Sequence, residues 1–176
     1  MKSFFLYFLL LSFTVGIASC DDDDDVVDIP QTDSRIVGDW NLTDADIFTL
    51  DFKGDGDDRI GHRVEYHMTN PGDYVLTFGN QPQKATATGS ATFKRIESND
   101  RGDHSETMET LNDFLDLGDW KLDGDRLTIT ESDGDATTYY IYELNDRKLV
   151  FGYNFENNWK PVEGESHRRV KYVFLR

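Results

Sequence analysis

Reactive side chains are sparse in this chain. Its 176 residues hold one cysteine, Cys20, together with four histidines and 34 carboxylates. The thiol has the most defined setting: Lys2 supplies a positive start, Phe4 to Ile17 supply a short apolar run, and Ile17-Ala18-Ser19-Cys20 matches a lipobox. About 14 apolar residues are too few for a bilayer span, which takes roughly 20, and the run ends in small residues suited to signal cleavage. This pattern predicts that residues 1–19 are a lipoprotein signal peptide and that the Cys20 sulfur carries a thioether-linked diacylglycerol. With an amide-linked third chain, some 40 methylenes at about 0.8 kcal/mol each would make palmitate-type anchoring effectively irreversible.

The other candidate chemistries fail on spacing. His62 and His67 are five apart, so on one strand they point to opposite faces and cannot share a metal. His104 and His167 stand alone, and the neighbouring side chains of Ser166 and His167 diverge in a strand, a poor nucleophile and base. There is no nucleophile elbow, no phosphate-cradling glycine loop and no Cys-x-x-Cys pair. Asp-Gly-Asp occurs at 55–57, 123–125 and 133–135. Clustered carboxylates suit calcium, with Asp51, Asp55, Asp57 and Asp58 the densest group, but no EF-hand spacing is met because Arg59 falls at the fifth position. Asp-Gly between alternating segments is also a strong hairpin signal, and the turn reading is preferred. No cofactor and no catalysis are expected; a calcium-binding or hydrolytic envelope protein is the weaker alternative.

After cleavage, residues 20–176 hold 17 Lys+Arg against 34 Asp+Glu, since Lys2 is lost, giving a formal charge of −17. So acidic a chain lacks the basic footprint that nucleic acid requires and gains nothing from anionic lipid surfaces, leaving the acyl chains to hold it at a membrane. With its one cysteine acylated, no disulfide can brace the fold. Asp21, Asp22, Asp23, Asp24 and Asp25 repel one another, and residues 20–35 read as a lipidated, flexible acidic linker.

From residue 36 onward the apolar pattern has period two. Val64, Tyr66 and Met68 alternate with polar residues; Tyr74, Leu76 and Phe78 form a second row, Leu149, Phe151, Tyr153 and Phe155 a third, Val170, Tyr172 and Phe174 a fourth. Further strands are predicted at 37–43, 46–52, 84–97, 118–122, 126–131 and 136–144, bounded by Gly, Asn and Asp. An all-β antiparallel up-and-down meander of about 8–10 strands, closed as a barrel or sandwich, follows for residues 36–176.

One short helix is predicted over 105–117, where Met108, Leu111 and Leu115 recur at helical spacing, Ser105 could cap the start and Gly118 the end; it would plug one end of a barrel. Ala85, Ala87, Gly89, Ala91 and Phe93 share a face almost bare of bulk, which means either close packing or a bend at Gly89, or a ligand hollow. Tyr139 and Ile141 alternate with Tyr140 and Tyr142, so that strand is either covered on both faces or presents tyrosines as a platform for sugar rings.

Gly38-Asp39-Trp40 and Gly118-Asp119-Trp120 echo each other, and the second runs on as Trp120-Lys121-Leu122-Asp123-Gly124-Asp125-Arg126-Leu127. With these motifs, residues 36–176 resemble the lipocalin-like domains of Bacteroidota lipoproteins, in which a strand opening Gly-x-Trp starts an up-and-down barrel. The resemblance implies that a basic residue of the last strand, Arg169 or Lys171, packs over Trp40, so that Gly38, Trp40, Trp120 and Arg169 build the barrel end. Ser19-Cys20 followed by five aspartates likewise resembles the signal that exports such lipoproteins to the outer cell surface.

These readings together predict a non-enzymatic protein, lipid-anchored in the outer membrane through Cys20 and facing the cell surface. It would bind a small apolar or amphipathic molecule or serve as a structural envelope module; a surface carbohydrate-binding accessory is the alternative. An open apolar interior would favour a carrier, a filled one an envelope or interaction role, and exposed aromatics outside the barrel a glycan.

Overall fold

A computed structural model describes residues 34–53, 60–154 and 166–176. Eleven strands occupy them: β1 (Gly38–Lys53), β2 (Ile60–Asn70), β3 (Val75–Phe78), β4 (Lys84–Thr88), β5 (Ala91–Asn99), β6 (His104–Leu111), β7 (Gly118–Asp123), β8 (Arg126–Thr130), β9 (Ala136–Leu144), β10 (Lys148–Tyr153) and β11 (His167–Leu175). All pairings are antiparallel, and β11 returns to β1. The ring β1-β3-β4-β7-β8-β9-β10-β11 is a closed eight-stranded barrel, which leaves no exposed edge around its circumference. β2, β5 and β6 extend the sheet from the second half of β1, and Ala91 and Phe93 of β5 belong to the same buried core as the barrel.

Local chemistry accounts for the joints. β1 is one strand where two are predicted, kept continuous by a bulge at Thr43, whose hydroxyl donates to the Val173 carbonyl at 3.0 Å. The bulge reverses the side-chain alternation: Trp40 and Leu42 face inward before it, Ala45 and Ile47 after it. The single strand predicted at 84–97 is instead two, β4 and β5, with the bend at Gly89. There φ is +82° and a Cβ would lie 2.2 Å from the Asp73 carbonyl oxygen, so only glycine fits. Ala85 and Ala91 are buried by close packing rather than lining a hollow. The Asp-Gly-Asp runs at 123–125 and 133–135 are the β7–β8 and β8–β9 turns, with Gly124 at φ +60° and Gly134 at +97°. The run at 55–57, and Asp58 with it, lies outside the described residues.

The predicted helix over 105–117 is absent. Residues 104–111 form β6, paired with β5 from Ser98↔His104 to Ala91↔Leu111. Cross-strand polar pairs decide the outcome: the Thr92 and Thr110 hydroxyls meet at 3.2 Å, and Lys94 bridges Glu106 at 2.7 Å. Met108, which a helix would have buried, is 60% exposed. The plugging role does fall within this stretch, on a non-helical segment: after β6 the chain turns inward over 112–117 and sinks Phe114 and Leu115 into the core. Gly118 then opens β7 rather than capping a helix; a Cβ there would lie 2.0 Å from the Thr130 carbonyl oxygen.

Candidate functional site

Three places in the barrel could serve a function: its interior, the end marked by Trp40, and the outer wall.

The interior is built of rings. Phe174 stacks on Phe151 with centroids 5.7 Å apart and planes 3° from parallel, and Phe151 meets Tyr139 at 5.3 Å and Tyr172 at 5.4 Å. Phe114 continues the column, 4.5 Å from Tyr74, 5.0 Å from Phe93 and 6.1 Å from Tyr172. These rings belong to one continuous core cluster with Trp40, Phe78, Trp120, Leu127 and Ile129. Edge-to-face and offset contacts of this kind fill space with defined geometry, so the barrel is packed where an open cup would hold a ligand.

Polar groups inside are few and mostly paired. The Tyr139 hydroxyl donates to Asp116 Oδ2 at 2.7 Å, and the Tyr172 hydroxyl donates to the Phe114 carbonyl at 2.9 Å, tying the inserted segment to the wall. The buried Tyr74 hydroxyl finds no hydrogen-bond partner among the described residues. Burial pushes all three phenols well above the usual tyrosine range; in addition Tyr172 and Asp116 raise Tyr139, Asp113 raises Tyr74, and Arg168 partly offsets the shift at Tyr172. Phenols held neutral in this way act as hydrogen-bond donors and packing groups at physiological pH.

At the Trp40 end the predicted basic residue is corrected. Arg176, not Arg169 or Lys171, lies over Trp40, its guanidinium carbon 3.9 Å from the ring centroid. It also donates to the Val37 carbonyl and, at 3.4 Å, to the Asp39 carbonyl. Strand parity explains the difference. Val170, Tyr172 and Phe174 of β11 are fully buried in the core, which turns Arg169 and Lys171 to the outer wall; there Arg169 sits over Phe48 at 5.4 Å and 3.8 Å from Asp46. Trp40 itself is fully buried and donates from Nε1 to the Ile36 carbonyl at 2.7 Å. Trp120 donates from Nε1 to the Gly79 carbonyl at 2.9 Å and packs edge-on against Phe78, which pairs with Gly38. Phe78 thus links Trp120 to Gly38, two residues before Trp40, whereas Arg169 lies on the outer wall.

On the outer wall, β9 resolves the tyrosine ambiguity. Tyr139 is 2% exposed, whereas Tyr140 is 39% and Tyr142 44% exposed. The β9–β10 pairing moves from Glu143↔Val150 to Ile141↔Phe151, leaving Tyr142 as the extra residue of a bulge. His62 and His67 fall on opposite faces of β2, His62 near Glu97 at 3.9 Å and His67 at 3.0 Å from Glu65. Among the described residues no three histidine, cysteine, aspartate or glutamate side chains converge as metal ligands; Asp51 lies on β1, while Asp55, Asp57 and Asp58 lie outside those residues. Cys20 and Asp21 to Asp25 also lie outside them. Sequence reasoning missed Arg176 and Phe114; the only sequence hint was a terminal basic residue in step with the inward row Val170, Tyr172 and Phe174.

A closed up-and-down barrel of eight strands, begun by Gly-Asp-Trp and capped by a terminal arginine, defines the class as a lipocalin-type module, which in general binds a ligand or serves structurally. The family model of the lipocalin-like domain matches residues 36–151, well over half the chain, and the chain belongs to that family. No curated protein and no solved structure matches it. The matched span stops before β11, the strand that closes the ring.

Proposed function

We propose that the chain is a lipid-anchored envelope module that works through the outer wall of its barrel and performs no catalysis. The observation that carries this reading is the aromatic column from Phe174 to Phe114, which occupies the volume a carrier would keep for an apolar or amphipathic guest. The lipobox at Ile17 to Cys20 supports attachment through the cysteine, and the five aspartates that follow support display on the outer surface of a Bacteroidota-type outer membrane. The linker over 20–35 would then hold the barrel clear of the bilayer.

Three measurements test it. Labelled palmitate should enter the wild-type protein and not the Cys20→Ala variant, and protease added to intact cells should remove the barrel from the surface. The soluble barrel should show no saturable binding of an apolar fluorescent dye; stoichiometric dye uptake would return the function to the interior.

A second reading, glycan binding, is favoured by the exposure of Tyr140 and Tyr142 on the outer wall.

A further inference from the structure

The outer wall between β7 and β11 is shaped as well as exposed. Two shallow grooves flank β9. One, of about 310 Å³, is lined by Lys121, Asp123, Arg126, Thr128, Thr138 and Tyr140. The other, of about 300 Å³, is lined by Tyr142, Glu143, Lys148, Val150, Lys171 and Val173. Each groove thus holds one of the two tyrosines, and these are the large aromatic side chains left exposed among the described residues. The bulge at Tyr142 supports design rather than accident, since a bulge re-aims a side chain at the expense of ladder pairing.

The polar groups beside the rings come as donor and acceptor together. Arg126 donates to the Tyr140 hydroxyl at 3.2 Å and lies over its ring at 5.5 Å, with Asp123 and Asp125 near enough to act on its charge. Lys148 bridges Glu143 at 2.7 Å in the second groove. The Thr128 and Thr138 hydroxyls meet at 3.1 Å in the floor of the first. Arg126 with Asp123 and Asp125, and Lys148 with Glu143, are charges balanced within the grooves; Lys121 and Lys171 add one cation to each, and a chain of formal charge −16 repels a polyanion at long range. What the combination suits is a neutral ring with an apolar face for a tyrosine and hydroxyls that both donate and accept.

We propose that the Tyr140 and Tyr142 grooves bind a neutral saccharide, one pyranose against each tyrosine and its hydroxyls bridged by Arg126, Asp123 and the Lys148–Glu143 pair. This rests on the reading that the barrel works through its outer wall, and it names the ligand of that wall.

The test uses the full chain from residue 20, titrated with cellohexaose, mannohexaose, maltohexaose and hexagalacturonate by calorimetry and by tyrosine chemical shifts. At least one neutral oligosaccharide should bind, and Tyr140→Ala or Tyr142→Ala should each weaken it about tenfold, the scale of one aromatic contact. Tyr142→Trp should retain binding, and all three variants should melt with the wild type. The proposal is overturned by no binding to any neutral probe, by preference for the uronate, or by a double tyrosine variant that binds unchanged. Apolar dye binding, run in parallel, separates the two failures: a barrel that takes neither sugar nor dye loses this site and keeps the outer-wall reading, whereas one that takes dye and no sugar loses both.

Discussion

Replacing Phe114 by alanine tests whether the barrel is filled by its own chain. The side chain is 9% exposed and meets three other rings, those of Tyr74, Phe93 and Tyr172. Losing a buried phenylalanine side chain removes about 2 kcal/mol of apolar burial, and each ring contact adds about 0.5 kcal/mol or more, for a total near 3.5 kcal/mol. Measured truncations of core phenylalanine cost about 3–5 kcal/mol. The lower end applies here, because residues 112–117 lie outside any strand and can settle into part of the space. The expected cost is therefore about 3 kcal/mol, a fall in Tm of about 10 °C for a domain of this size.

Urea denaturation followed by tryptophan fluorescence reads this directly, since Trp40 and Trp120 belong to the same core cluster. The midpoint should fall with the slope unchanged. The variant should also take up an apolar dye that the wild type refuses, because the space released is lined by Tyr74, Phe93 and Tyr172. Met108→Ala is the control: with Met108 60% exposed on β6, the change should stay within about 0.5 kcal/mol. A cost below about 1 kcal/mol for Phe114→Ala, or a larger cost for Met108→Ala, would refute the inserted segment and return 105–117 to a buried helix.

Three further outcomes follow. Arg176→Ala should cost about 1–2 kcal/mol through loss of the contact over Trp40 and the bonds to the Val37 and Asp39 carbonyls, whereas Arg169→Ala, an outer-wall change, should cost about 0.5 kcal/mol; a reversed ranking in thermal melts would restore the basic residue first expected at this end. Tyr74→Phe should be neutral or stabilising by up to about 1 kcal/mol because it deletes a buried hydroxyl without a partner, while Tyr139→Phe should cost about 1–3 kcal/mol by orphaning Asp116; equal losses would contradict the pairing. Tyr74, Tyr139 and Tyr172 have folded pKa values raised above the usual 10, so their contribution is whole below pH 10 and is lost as pH climbs toward the folded values. In that window the unfolded state has shed protons the native state keeps, and stability should fall by about 1.4 kcal/mol per pH unit for each tyrosine. Tyrosinate absorbance should rise in a late step coincident with unfolding, and a smooth titration of every tyrosine near pH 10 in folded protein would count against their burial.

What the sequence discloses is what short-range periodicity encodes. The rows at Leu76 and Phe78, at Leu149 and Phe151, and at Val170, Tyr172 and Phe174 are strands facing the core, and two Asp-Gly-Asp runs are hairpin turns. Properties that depend on register stayed hidden. Met108, Leu111 and Leu115 have helical spacing by coincidence: Met108 points to solvent from β6, while Leu115 belongs to the segment that dives inward once β6 has ended. Arg176 reaches Trp40 because β11 pairs Leu175 with Asn41, a fact no local window contains. Likewise, period two tells that Tyr139 and Tyr140 face opposite ways, but which one meets a core depends on the ring closing through β11.

That closure also favours the wall of the barrel over its inside. Eight strands enclose an interior just wide enough for side chains to fill or for one small ligand. The chain has spent that space on Phe114, Tyr139, Phe151, Tyr172 and Phe174. With its one cysteine given to the lipid anchor under the reading proposed here, no disulfide braces the barrel, and the rings must supply the cohesion that a crosslink would otherwise add. Emptying the cup for a guest would remove that cohesion, whereas two tyrosines on the outside of β9 can be exposed without touching the core. Stability and recognition are thereby separated onto the two faces of one strand: Tyr139 turned inward to Asp116, Tyr140 outward to Arg126.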